Sequence, residues 1–298
     1  MSVFDTKTKF ADYKEEGANW ITLSSGEYYP DILFDACLLY EPVLRLFARL
    51  LKSSETSKRL FLQIAEVNEV WMRIQLCRVF RKYVSPETPV EMLKRKTKAQ
   101  EIVHDFGDGF RQIHEVQARF DQRPMPDEAL CALLWEYKSR GAKGYDLTER
   151  FFDLFRSQFP ELILLGPKRA GQDIRLGTVF EDYPNPDRPV DFLVCTKDGK
   201  SVLAIGFARY DGDRGGAQED DRTGGYKNAA NEILNYTETR APSTKVIFVN
   251  DGPGLLLGSM WDDYATIEES WRGNKIIVTT LRMIPTRLTK SWLLGTAD

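Results

Sequence analysis

The stretch Arg188–Arg209 constrains the fold of this chain more than any other. Two apolar runs flank Lys197-Asp198-Gly199-Lys200, and Asp-Gly is the favoured centre of a two-residue type I′ turn. The chain is therefore expected to double back here as a β-hairpin. With Asp198 and Gly199 in the turn, counting outward pairs Lys197 with Lys200, Cys195 with Val202 and Asp191 with Gly206. Residues directly opposite share a face, with Cβ atoms about 4.5–5.5 Å apart, so Asp191 and position 206 can ligate one ion. An aspartate beside an apolar run is not buried as an ion without partners. Its other place is the exposed start of the strand, turning after Pro189.

From about Tyr145 onward the chain alternates helical and strand-like patterns. The helix DLTERFFDLFRSQF leads into the short runs ELILLG, VDFLVCT, SVLAIGFAR, KVIFVN and KIIVTTL. A charged, glycine-rich loop and the helix YKNAANEILNYTETR follow the third run, and the helix SMWDDYATIEESW follows the fourth. This order predicts an α/β (α+β) fold with a mixed central sheet. The first half reads as helical instead. ILFDACLLYEPVLRLFARLL, SKRLFLQIAEVNEVWMRIQLCRVFRKYV and DEALCALLWEYKSRG carry apolar residues at three- and four-residue spacing. The expected division is a helical region over residues 1–144 and an α/β core over 145–298.

Composition removes whole classes of chemistry. Only two histidines exist, His104 and His114, both in the polar run EIVHDFGDGFRQIHEVQARF. HNH nucleases and two-histidine zinc hydrolases need histidines placed near their other catalytic groups, and no GxSxG elbow supports a serine hydrolase. The four scattered cysteines form no CxxC pair and read as buried free thiols of a reducing compartment. Asp251-Gly252-Pro253-Gly254 lacks the spacing of a phosphate loop and reads as a turn after a strand. A calcium-loop reading of Asp211 and Asp213 fails at the later ligand position. No apolar leader opens the sequence and no run reaches membrane-spanning length, so a cytoplasmic protein without membrane contact is expected. Chemistry is left to carboxylates, a metal ion, lysine and arginine. The net charge of −3 leaves both nucleic acid and small molecules open as substrates, since local basic faces are enough to neutralise phosphates.

An aspartate at a strand start, a hairpin, and a second apolar strand leading into a charged loop and helix resemble the core of the PD-(D/E)XK nucleases. The resemblance covers roughly the last half of the chain. It implies that Asp191 is the first metal-binding acid, position 206 the second, position 208 the water-activating lysine, and Glu149 a further acid from the upstream helix. This chain departs from that pattern with Gly206 and Ala208. Arg209 stands in for the lysine only if a bulge turns it to the same face, and Lys227 is the other candidate. With Gly206 in place, a Mg²⁺ ion keeps Asp191, waters and the main-chain carbonyl of Phe207.

The resemblance further implies a type II restriction endonuclease hydrolysing double-stranded DNA as a homodimer, with cutting impaired by Gly206. The rival readings are a DNA-binding, non-cutting subunit and a helical interaction protein whose α/β half is structural. The loop Tyr210–Gly225 has two readings. Arg214, Gln218 and Arg222 are side chains of the kind that read base edges or phosphates, or the loop is a solvated linker. Lys94, Arg95 and Lys96 are likewise either a phosphate-contacting face or a solvated helix surface. In the nuclease reading the helical region builds the DNA cleft and the dimer contact.

Overall fold

A computed structural model describes residues 8–24, 26–139, 142–167, 173–212 and 218–296, with the backbone alone for 91–92, 139, 142–145 and 218–222. A 3₁₀ turn, Phe10–Glu16, and the short α1 (Gly17–Trp20) open the chain. Six helices follow: α2 (Ile32–Ser53), α3 (Ser57–Glu66), α4 (Val70–Tyr83), α5 (Ala99–Phe106), α6 (Ile113–Asp121) and α7 (Glu128–Ser139). The remainder is α8 (Ala142–Gln158), β1 (Ile163–Leu165), β2 (Ile174–Arg175), β3 (Pro189–Val190), β4 (Phe192–Cys195), β5 (Val202–Tyr210), α9 (Gln218–Arg240), β6 (Lys245–Asp251), α10 (Met260–Glu269) and β7 (Ile276–Thr279). Two short helices, α11 (Ile284–Arg287) and α12 (Lys290–Leu294), close it. The result is a mixed α+β protein. Among the described residues no helix is long and apolar enough to cross a membrane.

The chain divides into two units, Gly26–Arg140 and a second made of Met1–Ser25 with Gly141–Asp298. The expected helical region 1–144 thus loses its first 25 residues to the α/β unit. The reason is burial: Phe10, Tyr13 and Ile21 lie in the α/β core, and the Phe10 ring stacks on Trp261 at 4.4 Å. Glu268 of α10 secures this segment by accepting from the Phe10 N–H at 2.6 Å. Glu268 also holds Arg287 at 2.7 Å, both side chains almost wholly buried. The Arg287 guanidinium donates in turn to the Thr8 carbonyl at 3.1 Å.

In the helical unit, Tyr40, Phe47, Phe61 and Phe80 are fully buried in one core. The long run 57–84 breaks into two helices because the Glu69 carboxylate caps α4, accepting from the Trp71 N–H at 2.9 Å and from that of Met72. The polar run holding both histidines also breaks, at Gly107–Gly109.

The α/β unit is built on a five-stranded sheet in the order β1-β4-β5-β6-β7. β1, β4 and β5 are antiparallel neighbours, whereas β5, β6 and β7 run parallel. Both faces are covered, which explains the continuous apolar runs. Phe192, Val194, Ala204, Ile247 and Val249 face Phe151, Phe152 and Phe155 of α8. Leu193, Ile205, Phe207, Val246 and Phe248 face α9, α10 and the N-terminal segment. β2 and β3 form a separate two-stranded ladder.

Candidate functional site

The hairpin forms, but its register differs by one at the decisive place. Cys195 pairs with Val202 as counted, and a β-bulge then shifts β5 so that Val194 pairs with Ala204 and Phe192 with Gly206. Leu203 is the extra residue. The turn is also longer than two residues: Thr196 donates to Ser201 at 3.0 Å, and Gly199, at φ +70°, donates back to the Thr196 carbonyl. Asp191 therefore does not face position 206. Gly206 lies under the Phe192 ring, and a Cβ built there would fall inside that ring. Phe192 is fully buried, its centroid 4.6 Å from that of Phe151.

Asp191 sits where β4 begins, and its main chain still spans the ladder. Its N–H donates to the Gly206 carbonyl at 3.0 Å, and its Oδ2 accepts from the Ala208 N–H at 2.8 Å. The carboxylate thus takes the N–H of β5 that a further strand residue would otherwise have used. It is half-buried by surface, yet most of the volume around it is protein. Burial pushes its pKa up to about 6; the Ala208 N–H and the Arg209 charge oppose that shift, and the negative Asp173 adds to it.

Asp173 was not anticipated as a site residue. β2 pairs with β3 through Ile174 opposite Val190 and Arg175 opposite Pro189. One step further along that ladder puts Asp173 across from Asp191. The signal was the same as for any hairpin, but the two strands span only two residues each, too short for pattern reading.

On the face of β5 opposite Gly206 and Ala208 lies an ion pair. β5 and β6 pair without interruption from Ala204 to Tyr210, so no bulge turns Arg209 to the side of 206 and 208. Its Nε instead donates to Asp211 Oδ1 at 2.9 Å. Asp211 is almost completely buried, and its Oδ2 accepts from the Tyr264 hydroxyl at 3.5 Å. Burial pulls the Arg209 pKa down, but Tyr226 and Asp211 together outweigh it and hold the guanidinium charged. Burial pushes the Tyr226 phenol up to about 12.

The backbone of Asp211 is clamped as well. Its N–H donates to the Asp251 carbonyl at 2.7 Å and its carbonyl accepts from the Gly254 N–H at 2.8 Å. Gly252, at φ +112°, and Gly254 pass so close to it that neither position has room for a side chain. The DGPG turn is thus the seat of Asp211. The Asp251 carboxylate ties three segments together, accepting from Thr22 at 2.6 Å, Gly252 at 2.7 Å and Leu281 at 2.9 Å. Burial nonetheless raises its pKa.

The other expected site residues disperse. Glu149 is solvent-exposed on α8 and Phe207 is a core residue stacked on Phe248 at 5.2 Å. Lys227 is exposed on α9. The loop after β5 is shorter than expected, because α9 starts at Gln218 and runs through Gly224 and Gly225. Two glycines disfavour a helix, but Ala229, Ala230, Ile233 and Leu234 are buried and carry it. Gln218 and Arg222 therefore belong to that helix, and Arg214 lies outside the described residues. Lys94 and Arg95 are exposed, whereas the Lys96 ammonium donates to Glu66 O at 3.0 Å and Asn68 Oδ1 at 2.7 Å. Buried Arg73 anchors this basic stretch from beneath through the carbonyls of Leu93 and Lys94. Among the described residues no three His, Cys, Asp or Glu side chains stand together as a metal-holding group.

The raised Asp191 pKa has a measurable consequence in the metal-free protein. Between about pH 4 and 6 the folded chain holds a proton that the unfolded chain has lost. Stability is therefore greatest below the ordinary aspartate pKa and falls as pH rises through 6. Asp191→Asn is expected to stabilise the fold by up to about 3 kcal/mol at pH 8, two pKa units being worth that much, and by nearly nothing at pH 3.5. Urea denaturation at both pH values with chelator present checks it; an equal effect at both contradicts the assignment.

Comparison with known protein families, with curated proteins and with solved structures finds no match for this chain.

Proposed function

We propose that this chain is a cytoplasmic, DNA-binding protein of the type II restriction-endonuclease kind, built on a PD-(D/E)XK-like core. In this reading it is a Mg²⁺-dependent phosphodiesterase on duplex DNA whose cutting is impaired. The observation that carries the reading is Asp191, a carboxylate under desolvation stress at a strand start, with Asp173 across the ladder and the Arg209–Asp211 pair close by. The order of helix, antiparallel strands, helix and parallel strand around it supports the same reading.

The residues present suit Mg²⁺. That ion is commonly held by one or two carboxylates, with waters and substrate phosphate oxygens completing its shell. Asp191 and Asp173 offer that donor set, and a cation relieves both the burial and the mutual repulsion that raise the Asp191 pKa. Bound there, Mg²⁺ supplies Lewis-acid stabilisation of charge on the phosphoryl group. The Ala208 N–H fixes one Asp191 oxygen and leaves the other to the ion. Arg209, held by Asp211, keeps a positive charge beside the site for a phosphate. Exposed Lys94, Arg95 and Lys227 then serve as phosphate contacts, and Arg214, Gln218 and Arg222 as candidate base readers.

Asp191→Ala is expected to abolish Mg²⁺ binding at this site while leaving salt-dependent binding of duplex DNA within about twofold, one carboxylate adding little to a counterion-driven affinity. Titration calorimetry and gel shift report the two separately, and unchanged metal binding sinks the assignment. The non-cutting DNA-binding reading is favoured by one observation, the Phe192 ring packed where a second acid would start. Mg²⁺ binding without any nicking of plasmid DNA would select it.

A further inference from the structure

We infer that Glu232 is a positioning residue for the proposed metal site: by gripping Arg188 it holds the strand pair that sets Asp173 across from Asp191. The inference rests on the metal reading of those two aspartates and adds to it the residue that fixes their spacing.

Asp173 is solvent-exposed and takes its place from a ladder of two residues per strand. A two-stranded ribbon this short is not stable on its own, so something outside it must keep it closed. The two arms stay together beyond the ladder. The Leu176 N–H donates to the Arg188 carbonyl at 3.0 Å and the Gly177 N–H to that of Pro186 at 2.9 Å. Arg175 also pairs with Asp187 across the arms. The loop that joins them is fastened to α9.

One stripe of α9 makes the attachment. Glu232, Tyr236 and Arg240 follow at four-residue spacing, which puts them on one face of the helix. The Glu232 carboxylate accepts from Arg188 Nε at 3.2 Å and from its Nη2. The Tyr236 hydroxyl donates to Asp182, and Arg240 Nε donates to the other oxygen of that carboxylate at 2.7 Å. The Tyr236 ring packs against Phe180 at 5.3 Å and Tyr183 at 4.8 Å. Asp182 and Arg240 are both more than half exposed, where an ion pair contributes little. Arg188 and Glu232 are only 29% and 26% exposed, and their forked, charge-assisted pairing is the stronger kind. The Arg188 guanidinium holds the Glu232 carboxyl below its ordinary range, with burial opposing. Arg188 precedes Asp191 by three residues, about 10 Å along a strand. That distance keeps Glu232 off the ion and leaves it a role in orientation. Groups that orient a metal ligand without touching the metal typically change affinity by roughly 10–100-fold.

Hydrogen exchange and Mg²⁺ titration of the full chain test this. In metal-free Glu232→Ala the Leu176 amide is expected to exchange at least about fivefold faster, with circular dichroism unchanged. Calorimetry on the same variant is expected to show Mg²⁺ binding weakened at least about tenfold. Reversing the pair, Glu232→Arg with Arg188→Glu, is expected to recover both readings, which a residue that merely packs would not do. Should Glu232→Ala fail to fold, Glu232→Gln keeps the shape and makes the same comparison. Mg²⁺ affinity indifferent to the loss of Glu232 overturns the inference, and so does a loss that the reversal leaves unrepaired. A wild-type chain that binds no Mg²⁺ at Asp191 instead removes the metal reading, and the exchange rates still decide whether Glu232 holds the strand pair.

Discussion

Gly206→Glu combined with Phe192→Leu is expected to raise Mg²⁺-dependent cleavage of duplex DNA by two orders of magnitude or more. A glutamate at 206 starts on the α8 face, one pair off Asp191 in the ladder, and has to reach round the Asp191–Gly206 backbone contact to share the proposed ion. Where it does, Lewis-acid stabilisation of several kcal/mol follows, and about 2.7 kcal/mol already corresponds to a hundredfold. The companion substitution is required by the packing. A Cβ at 206 falls inside the fully buried Phe192 ring, so Gly206→Glu alone is expected to cost about 1–3 kcal/mol of stability by overpacking and to gain less activity. Shortening Phe192 opens that volume on the face of β5 that also carries Ala208. Plasmid nicking by the starting chain, both single variants and the double variant measures the effect. A double variant no faster than the starting chain removes position 206 from the site. Robust cleavage that survives Asp191→Ala removes the site altogether.

Arg287→Met is expected to destabilise the α/β unit by about 3–5 kcal/mol, the cost of stranding one member of a buried ion pair. Glu268 would keep its hydrogen bonds from Phe10 at 2.6 Å and Val278 at 2.9 Å but lose the buried counter-charge it touches. The melting temperature should fall by roughly 10 °C. Adding Glu268→Gln should recover part of that loss, because the amide oxygen still accepts from the Phe10 N–H without carrying charge. A drop of only a degree or two for Arg287→Met means the pair is not what holds the N-terminal segment.

The strands, helices and hairpin were legible because each is written in local periodicity. What failed was set at longer range. The one-residue displacement of Asp191 comes from a bulge at Leu203, which no apolar pattern announces, since both faces of β4 and β5 are buried and either register hides the same residues. The start of α9 was missed because Gly224 and Gly225 argue locally for a loop while burial of the following turns overrides them. Asp211, Asp251 and Tyr264 gain their roles only when β6 lies beside β5 as a parallel strand, a pairing with no sequence signature. Of the two carboxylates in the proposed site, Asp191 is legible from its odd company, and Asp173 is hidden in a ladder of two residues.

The affiliation of residues 8–24 with the α/β unit also orders events on the ribosome. Phe10, Tyr13 and Ile21 are made before the helical unit, and Glu268, which Phe10 needs, is synthesised 258 residues after Phe10. At 5–20 residues per second that wait is on the order of tens of seconds. The helical unit, continuous in sequence, can finish folding in the interval. The nascent α/β unit meanwhile carries a sticky apolar segment with nowhere to dock, so shielding by a chaperone matters most at this stage of synthesis.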